Sequence, residues 1–148
     1  MTARDFNVAR WAVLYARVAL GAAFLSGIAS RFGLWGKNVG YGDFAHFEQY
    51  TAEVNSFMPA FTIPFLAWAA TAAELVLGVA LIAGVRLRWV ALASALLLAL
   101  FGTAMAISFG LKSPLDYSVF SASAAALLLA LHPSRSSATS SPHSLEDS

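Results

Sequence analysis

Four apolar segments, separated by short polar stretches, occupy most of this 148-residue chain. They run over residues 11–29, 65–85, 89–111 and 115–132. Each approaches the roughly 20 apolar residues that an α-helix needs to cross a hydrocarbon core of about 30 Å. The pattern therefore predicts an all-α membrane protein: a bundle of four transmembrane helices formed by residues 1–132, followed by a polar, serine-rich and disordered tail at 133–148.

The segment between the first two spans is glycine-rich at first and then takes on helical periodicity. Asp43 is a suitable N-cap. After it, one helical stripe is formed by Phe44, Phe47, Thr51, Val54 and Met58. We predict a short amphipathic helix here, lying on the outer surface of the bundle as a lid.

The composition agrees with a membrane protein and excludes several other classes. Hydrophobic residues make up 59% of the chain and charged residues only 11%, against about 25% charged in an ordinary soluble domain. There is no cysteine, so the chain alone builds no thiol nucleophile, thiolate metal site or iron–sulfur cluster. A net charge of +1 argues against nucleic-acid binding. We expect no metal site and no built-in cofactor.

Basic residues predict the orientation of the bundle, because Lys and Arg of short loops stay on the cytoplasmic side. One end of the predicted bundle carries Arg4, Arg10, Arg86, Arg88 and Arg135. Both termini should therefore be cytoplasmic. The alternative is that the first apolar stretch is a cleaved signal peptide, but Arg17 interrupts it, and an uncleaved span fits better.

Arg17 and Glu74 are each the one charged residue within their span. An ionisable side chain near the centre of a span costs about 2.5 to 3.5 kcal/mol unless it is paired or hydrated. In antiparallel helices, counting from Arg10 and from Gly84 places the two side chains within roughly 5 Å in depth. We predict that they form a buried charge pair, which either fixes helix register or moves protons or binds a ligand.

Further charged residues are expected near the outer mouth of the bundle. They are Arg31, His46, Lys112 and Asp116. Together with the amphipathic helix they would frame an entrance, or they would anchor the helix ends among lipid headgroups.

Two motifs give the chain a family resemblance. The first span contains Arg17, Leu20 and Gly21 within RVALGAAFLSG, and the second contains Glu74 within AAELVLGVALIAGVRLR. These strings resemble the DoxX family of small four-span membrane proteins, over residues 10–132. Many relatives carry GLxKLFG where this chain has GIASRFG, so Arg31 stands one position after the usual lysine.

The resemblance implies a location in the bacterial inner membrane and a role beside a redox enzyme. The family takes its name from a membrane subunit of a thiosulfate:quinone oxidoreductase. We therefore expect an accessory or quinone-associated subunit, with the lipid bilayer and a soluble or membrane redox subunit as partners and quinone as the ligand to test. Two alternatives stay open: a small solute or proton-coupled carrier, and a scaffold that docks a partner through the outer loop. The oligomeric state is left open.

Overall fold

The computed structural model describes residues 3–132, and the predicted disordered tail at 133–148 lies outside them. Over the described residues the chain forms helices and connecting loops, without a strand. The helices are α1 (Ala3–Arg31), α2 (Phe44–Val54), α3 (Ile63–Ala83), α4 (Leu87–Phe109), α5 (Lys112–Asp116) and α6 (Val119–Leu131), and a 3-10 turn, Ala60–Thr62, precedes α3.

Three of these helices are long and apolar enough to cross a membrane: residues 7–31, 60–83 and 87–109. Large apolar side chains remain exposed along them, for example Val76 at 66%, Leu96 at 62% and Ile107 at 63%. Such surface is stable only in lipid or under a partner. The chain is a membrane protein, and the first three predicted segments are confirmed as long apolar helices, although α1 begins at Ala3 rather than near residue 11.

The fourth predicted span is not one continuous helix over residues 115–132. The chain forms the short α5, breaks at Ser118, whose φ of 54° is left-handed, and continues as α6. The 13 residues of α6 extend about 20 Å at 1.5 Å per residue, which is less than the thickness of the hydrocarbon core. The structure thus has three long apolar helices and one shorter one, and the fourth crossing stays a prediction.

Glycines bring α1 and α3 together in antiparallel orientation. A Cβ placed on Gly21 would lie 2.6 Å from Cγ1 of Ile82, and one on Gly78 would lie 3.2 Å from the Gly21 carbonyl oxygen. Close backbone approach of this kind is how helices associate when lipid removes the usual hydrophobic drive. The Gly21–Gly78 contact therefore fixes the register in which the two helices carry their charged residues.

A second antiparallel pair is formed by α4 and α6. The Ser123 hydroxyl donates to the Ala95 carbonyl oxygen at 2.7 Å, and the ring of Phe120 occupies the space that a side chain at Gly102 would need. Between the two pairs lies the apolar core, which includes Leu20, Phe24, Leu81, Ala91, Ala126 and Leu129.

The predicted amphipathic helix is confirmed as α2. The Asp43 carboxylate accepts from the His46 backbone N–H at 2.9 Å, which makes it the N-cap. On the inner face Phe47, Thr51 and Val54 are buried, whereas Met58 of the predicted stripe lies beyond the helix end and is 38% exposed. Since α2 packs against α3 and α4 and contacts Arg31, the last residue of α1, it covers the end of the bundle at which α1 stops.

Candidate functional site

A buried ion pair joins the end of α1 to the middle of α3. Nη2 of Arg31 lies 2.6 Å from Oε1 of Glu74, with the two side chains 6% and 5% exposed. Arg31 also donates through Nη1 to Thr71 Oγ1 at 2.9 Å, and its guanidinium carbon lies 3.8 Å from the ring centre of Phe47 on α2. Arg31 therefore ties three helices together at one point.

The predicted pairing of Glu74 with Arg17 is wrong. Nε of Arg17 donates to the carbonyl oxygen of Leu81 at 3.0 Å, and Nη2 donates to that of Ile82 at 2.9 Å. These carbonyls belong to the last turn of α3, where the helix dipole is negative and the usual i→i+4 donors are missing; the Leu81 carbonyl oxygen also accepts the Gly84 backbone N–H at 3.2 Å. Arg17 thus caps the carboxyl end of α3 and lies beside Gly84, the αL residue that terminates it.

The physical reason for the error is helix register. Gly27 is the α1 residue level with Glu74, because a Cβ on Gly27 would lie 3.4 Å from Glu74 Oε2. Arg17 is ten residues earlier, which is about 15 Å along the axis at 1.5 Å per residue. Depth counted from Arg10 and Gly84 takes no account of the close Gly21–Gly78 contact, which sets the register.

The charged residues expected at the outer mouth do not form one group. Arg31 is buried in the ion pair. His46 Nδ1 lies 2.8 Å from the carboxylate of Asp43, and Lys112 Nζ lies 2.5 Å from that of Asp116. Both surface pairs are well exposed, and such pairs contribute little. Of these candidates, Arg31 is the one that the structure places beside Glu74.

A cavity of about 140 Å³ adjoins the ion pair beneath α2. Its walls combine the two charged residues with aromatic, aliphatic and hydroxyl groups: Arg31, Tyr41, Phe47, Tyr50, Thr51, Val54, Ala70, Glu74, Phe101 and Met105. The rings of Tyr41 and Phe47 meet edge to face, with centroids 5.1 Å apart. Within the described part of the chain, Nε of Arg31 is buried and has no hydrogen-bond acceptor. We call this space the Arg31–Glu74 cavity.

A second cavity, of about 180 Å³, lies on another side of Glu74. Besides Glu74 and Phe101, which line both cavities, its walls are purely apolar: Leu20, Ala23, Phe24, Leu98 and Ala122. Glu74 and Phe101 therefore stand between a partly polar space near α2 and an apolar one among α1, α4 and α6.

Two tyrosines near the Arg31–Glu74 cavity stay protonated at neutral pH. Burial raises the pKa of Tyr41 to about 12, helped by the nearby Tyr50 and partly offset by Arg31. Burial likewise raises the pKa of Tyr50. Outside the cavity, the pKa of Asp43 is lowered because its carboxylate accepts the His46 backbone N–H at the start of α2. Both tyrosines that line the cavity therefore keep their phenol protons.

Sequence reasoning missed several residues of this site: Tyr41, Thr71, Phe101 and Met105. Thr71 carried a usable signal, because it precedes Glu74 by three residues and so shares a helix face with it. Tyr41, on a glycine-rich loop, gave none. Over residues 3–132 the structure shows no group of three or more His, Asp or Glu that could hold a metal ion.

Long apolar helices packed around a buried ion pair define a helical integral membrane protein. The family model DoxX matches residues 12–109. This match covers most of the chain, so the protein belongs to the DoxX family. No curated protein and no solved structure matches the chain.

Proposed function

We propose that this DoxX-family protein is the accessory membrane subunit of a quinone-dependent oxidoreductase, and that the Arg31–Glu74 cavity holds the quinone ring. One observation carries the proposal. A buried arginine with an unpartnered Nε–H lines an aromatic cavity within the helical bundle. An unpaired buried donor costs about 1–3 kcal/mol, so a ligand oxygen that accepts from it would be stabilised.

The residues present fit a quinone ring. Such a ring is flat and apolar, and its carbonyl oxygens accept hydrogen bonds. The cavity volume of about 140 Å³ is close to the roughly 150 Å³ that holds benzene in an engineered protein cavity. Arg31 and the protonated hydroxyls of Tyr41 and Tyr50 provide donors, and Phe47 and Phe101 provide aromatic walls.

Arg31 and Glu74 would play different roles beside a bound quinone ring. A bound quinone supplies the capacity to accept two electrons and two protons. Arg31 orients the ring by donating to its oxygen, while Glu74 is the carboxylate beside the cavity that holds or passes on a proton. We place the electron donor in a partner subunit, because the chain has no cysteine for a thiol or iron–sulfur donor.

The proposed location is the bacterial inner membrane, with both termini in the cytoplasm. Basic residues support this orientation. Arg10 lies in the first turns of α1, Arg86 lies between α3 and α4, and Arg88 is the second residue of α4. The contact of Arg17 with the carboxyl end of α3 places these segments towards the same end of the bundle. The Arg31–Glu74 cavity and α2 would then open towards the outer face, where a redox partner would dock.

Affinity purification in a gentle detergent from native membranes tests the proposal. Proteins and quinones that remain bound are identified by mass spectrometry for the wild type and for two variants, Arg31→Gln and Arg88→Gln. We expect a redox subunit to co-purify with the wild type, together with about one quinone molecule per chain. The quinone should be lost in Arg31→Gln and kept in Arg88→Gln. A protein that purifies without quinone, or equal quinone in both variants, would contradict the proposal.

A second candidate is a small proton-coupled carrier. It is favoured by the position of Glu74, which lines both cavities and so stands where a proton or solute would pass between them. Uptake into vesicles separates the two functions. Solute uptake that follows a pH gradient and disappears in Glu74→Gln supports the carrier, and its absence in the wild type excludes it for the solutes tried.

A further inference from the structure

A basic pocket of about 520 Å³ lies at the end of the bundle opposite α2. Its wall carries two arginines and a histidine beside apolar groups: Asn7, Arg10, Trp11, Val13, Leu14, Arg17 and His132. Among the lining residues whose side chains the structure describes, none carries a carboxylate. Two nitrogens of Arg17 are engaged by carbonyls of α3, but its positive charge remains and offsets the negative dipole at that helix end. The pocket therefore suits an anion.

The basic pocket continues into an apolar groove between α1 and α6. This groove has a volume of about 360 Å³ and shares Val13 and His132 with the pocket. Its remaining walls are small or aliphatic: Ala9, Ala12, Ala16, Ala125, Leu128 and Leu129. Because alanines face it from both helices, the groove offers space along the direction in which lipid chains run.

We propose that this combined site binds one anionic phospholipid, with its phosphate in the basic pocket near Arg10 and His132 and an acyl chain in the groove between α1 and α6. Basic pockets between membrane helices are known to take anionic headgroups. A free phosphate would contact the basic pocket alone, whereas a phospholipid would contact both the pocket and the groove.

The aromatic residues at this end agree with a headgroup site. Trp11, on the pocket wall, is 70% exposed, and Trp89, near the start of α4, is 67% exposed. Exposed tryptophans favour the level of the lipid headgroups. The site uses none of the residues of the Arg31–Glu74 cavity, so it does not depend on the function proposed for that cavity.

Native mass spectrometry of the full chain, released from nanodiscs, tests the proposal. The nanodiscs contain equal amounts of phosphatidylglycerol, which is anionic, and phosphatidylcholine, which has no net charge. Arg10→Gln weakens the charge of the pocket, with Arg88→Gln as its control at the same end of the bundle. Ala125→Leu fills the groove, with the neighbouring exposed Ala124→Leu as its control.

We expect one phosphatidylglycerol to remain on the wild type in preference to phosphatidylcholine. Arg10→Gln should bind it about fivefold more weakly, since one basic residue near anionic lipid contributes about that factor. Ala125→Leu should no longer retain the phosphatidylglycerol, whereas the control variants Arg88→Gln and Ala124→Leu should retain it as the wild type does. A separate arm adds excess inorganic phosphate: displacement of the lipid by free phosphate would show that the pocket recognises a small anion without the groove.

That displacement would overturn the proposal, and so would three other results. One is equal retention of the two lipids. Another is retention that neither Arg10→Gln nor Ala125→Leu changes, which would place the bound lipid elsewhere on the protein. The last is a lipid-free dimer that Ala125→Leu dissociates, which would show that a second copy of the chain fills the groove.

Discussion

The pairing of Arg31 with Glu74, rather than Arg17 with Glu74, makes a quantitative prediction. Removing one partner of a buried ion pair leaves an uncompensated charge and costs about 3–5 kcal/mol. Glu74 is 4% exposed in a helix that faces lipid elsewhere, so we expect the single variants Arg31→Met and Glu74→Gln to fall in this range. The double variant should be little less stable than either single one.

A double-mutant cycle isolates the pair from the other contacts of Arg31. Arg31→Met also removes the hydrogen bond to Thr71 and the stacking on Phe47, but these losses occur with or without the Glu74 carboxylate and cancel in the cycle. The remaining coupling energy should be about 2 kcal/mol or more. The free energy of unfolding would be measured in phospholipid bicelles for the wild type, both single variants and the double variant.

A parallel cycle provides the control. Arg17→Met removes the cap of α3, and its effect should add to that of Glu74→Gln, because the two side chains have separate partners. Absence of coupling in the 31–74 cycle, or coupling in the 17–74 cycle instead, would contradict the pairing of Arg31 with Glu74.

Three further predictions concern helix packing and the outer segment. Gly21→Leu should destabilise the protein by about 1–3 kcal/mol, because even a Cβ there would lie 2.6 Å from Ile82 Cγ1; the exposed Ala22→Leu is the control, and equal unfolding free energies would contradict the packing. Asp43→Ala should lower the amide-exchange protection factors of α2, which compare each rate with that of an unstructured chain at the same pH. Acidification should lower them in the wild type too: the folded pKa is lowered, so the contribution of the cap is present above the unfolded pKa and is lost as pH falls through the folded one. Protection factors that do not change with pH would contradict the cap. Tyr41 should ionise near pH 12 in an absorbance titration, and this transition should be absent in Tyr41→Phe. Because the folded pKa is raised from 10.0, the contribution of Tyr41 to stability should be lost as the pH rises from 10 to about 12.

Much of the fold could be predicted from the sequence because the signals are local. A run of apolar residues predicts a span whatever its neighbours are, and α3 and α4 lie within two residues of the predicted segments. The N-cap at Asp43 and the buried stripe of α2 are likewise encoded within a few residues. The break at Ser118 was missed, because apolar residues on both sides of it make the segment read as one helix.

The candidate site was harder to predict because it depends on register between helices. Glu74 was recognised, since a carboxylate within an apolar span is conspicuous, but its partner is set by how closely α1 and α3 approach at Gly21 and Gly78. That contact brings Arg31, at the end of α1, within hydrogen-bond distance of Thr71 and Glu74. Tyr41 reaches the cavity through a glycine-rich loop whose path no periodicity reveals.

Photoaffinity labelling with a short-chain azidoquinone tests the central proposal most directly. The purified protein is labelled in lipid nanodiscs, digested, and the modified residues are located by mass spectrometry. We expect labels on residues of the Arg31–Glu74 cavity, such as Phe47, Tyr50 or Met105. Excess unmodified quinone should prevent the labelling, and Arg31→Gln should abolish it. Labels confined to the lipid-facing surface, and unchanged in that variant, would contradict the proposal.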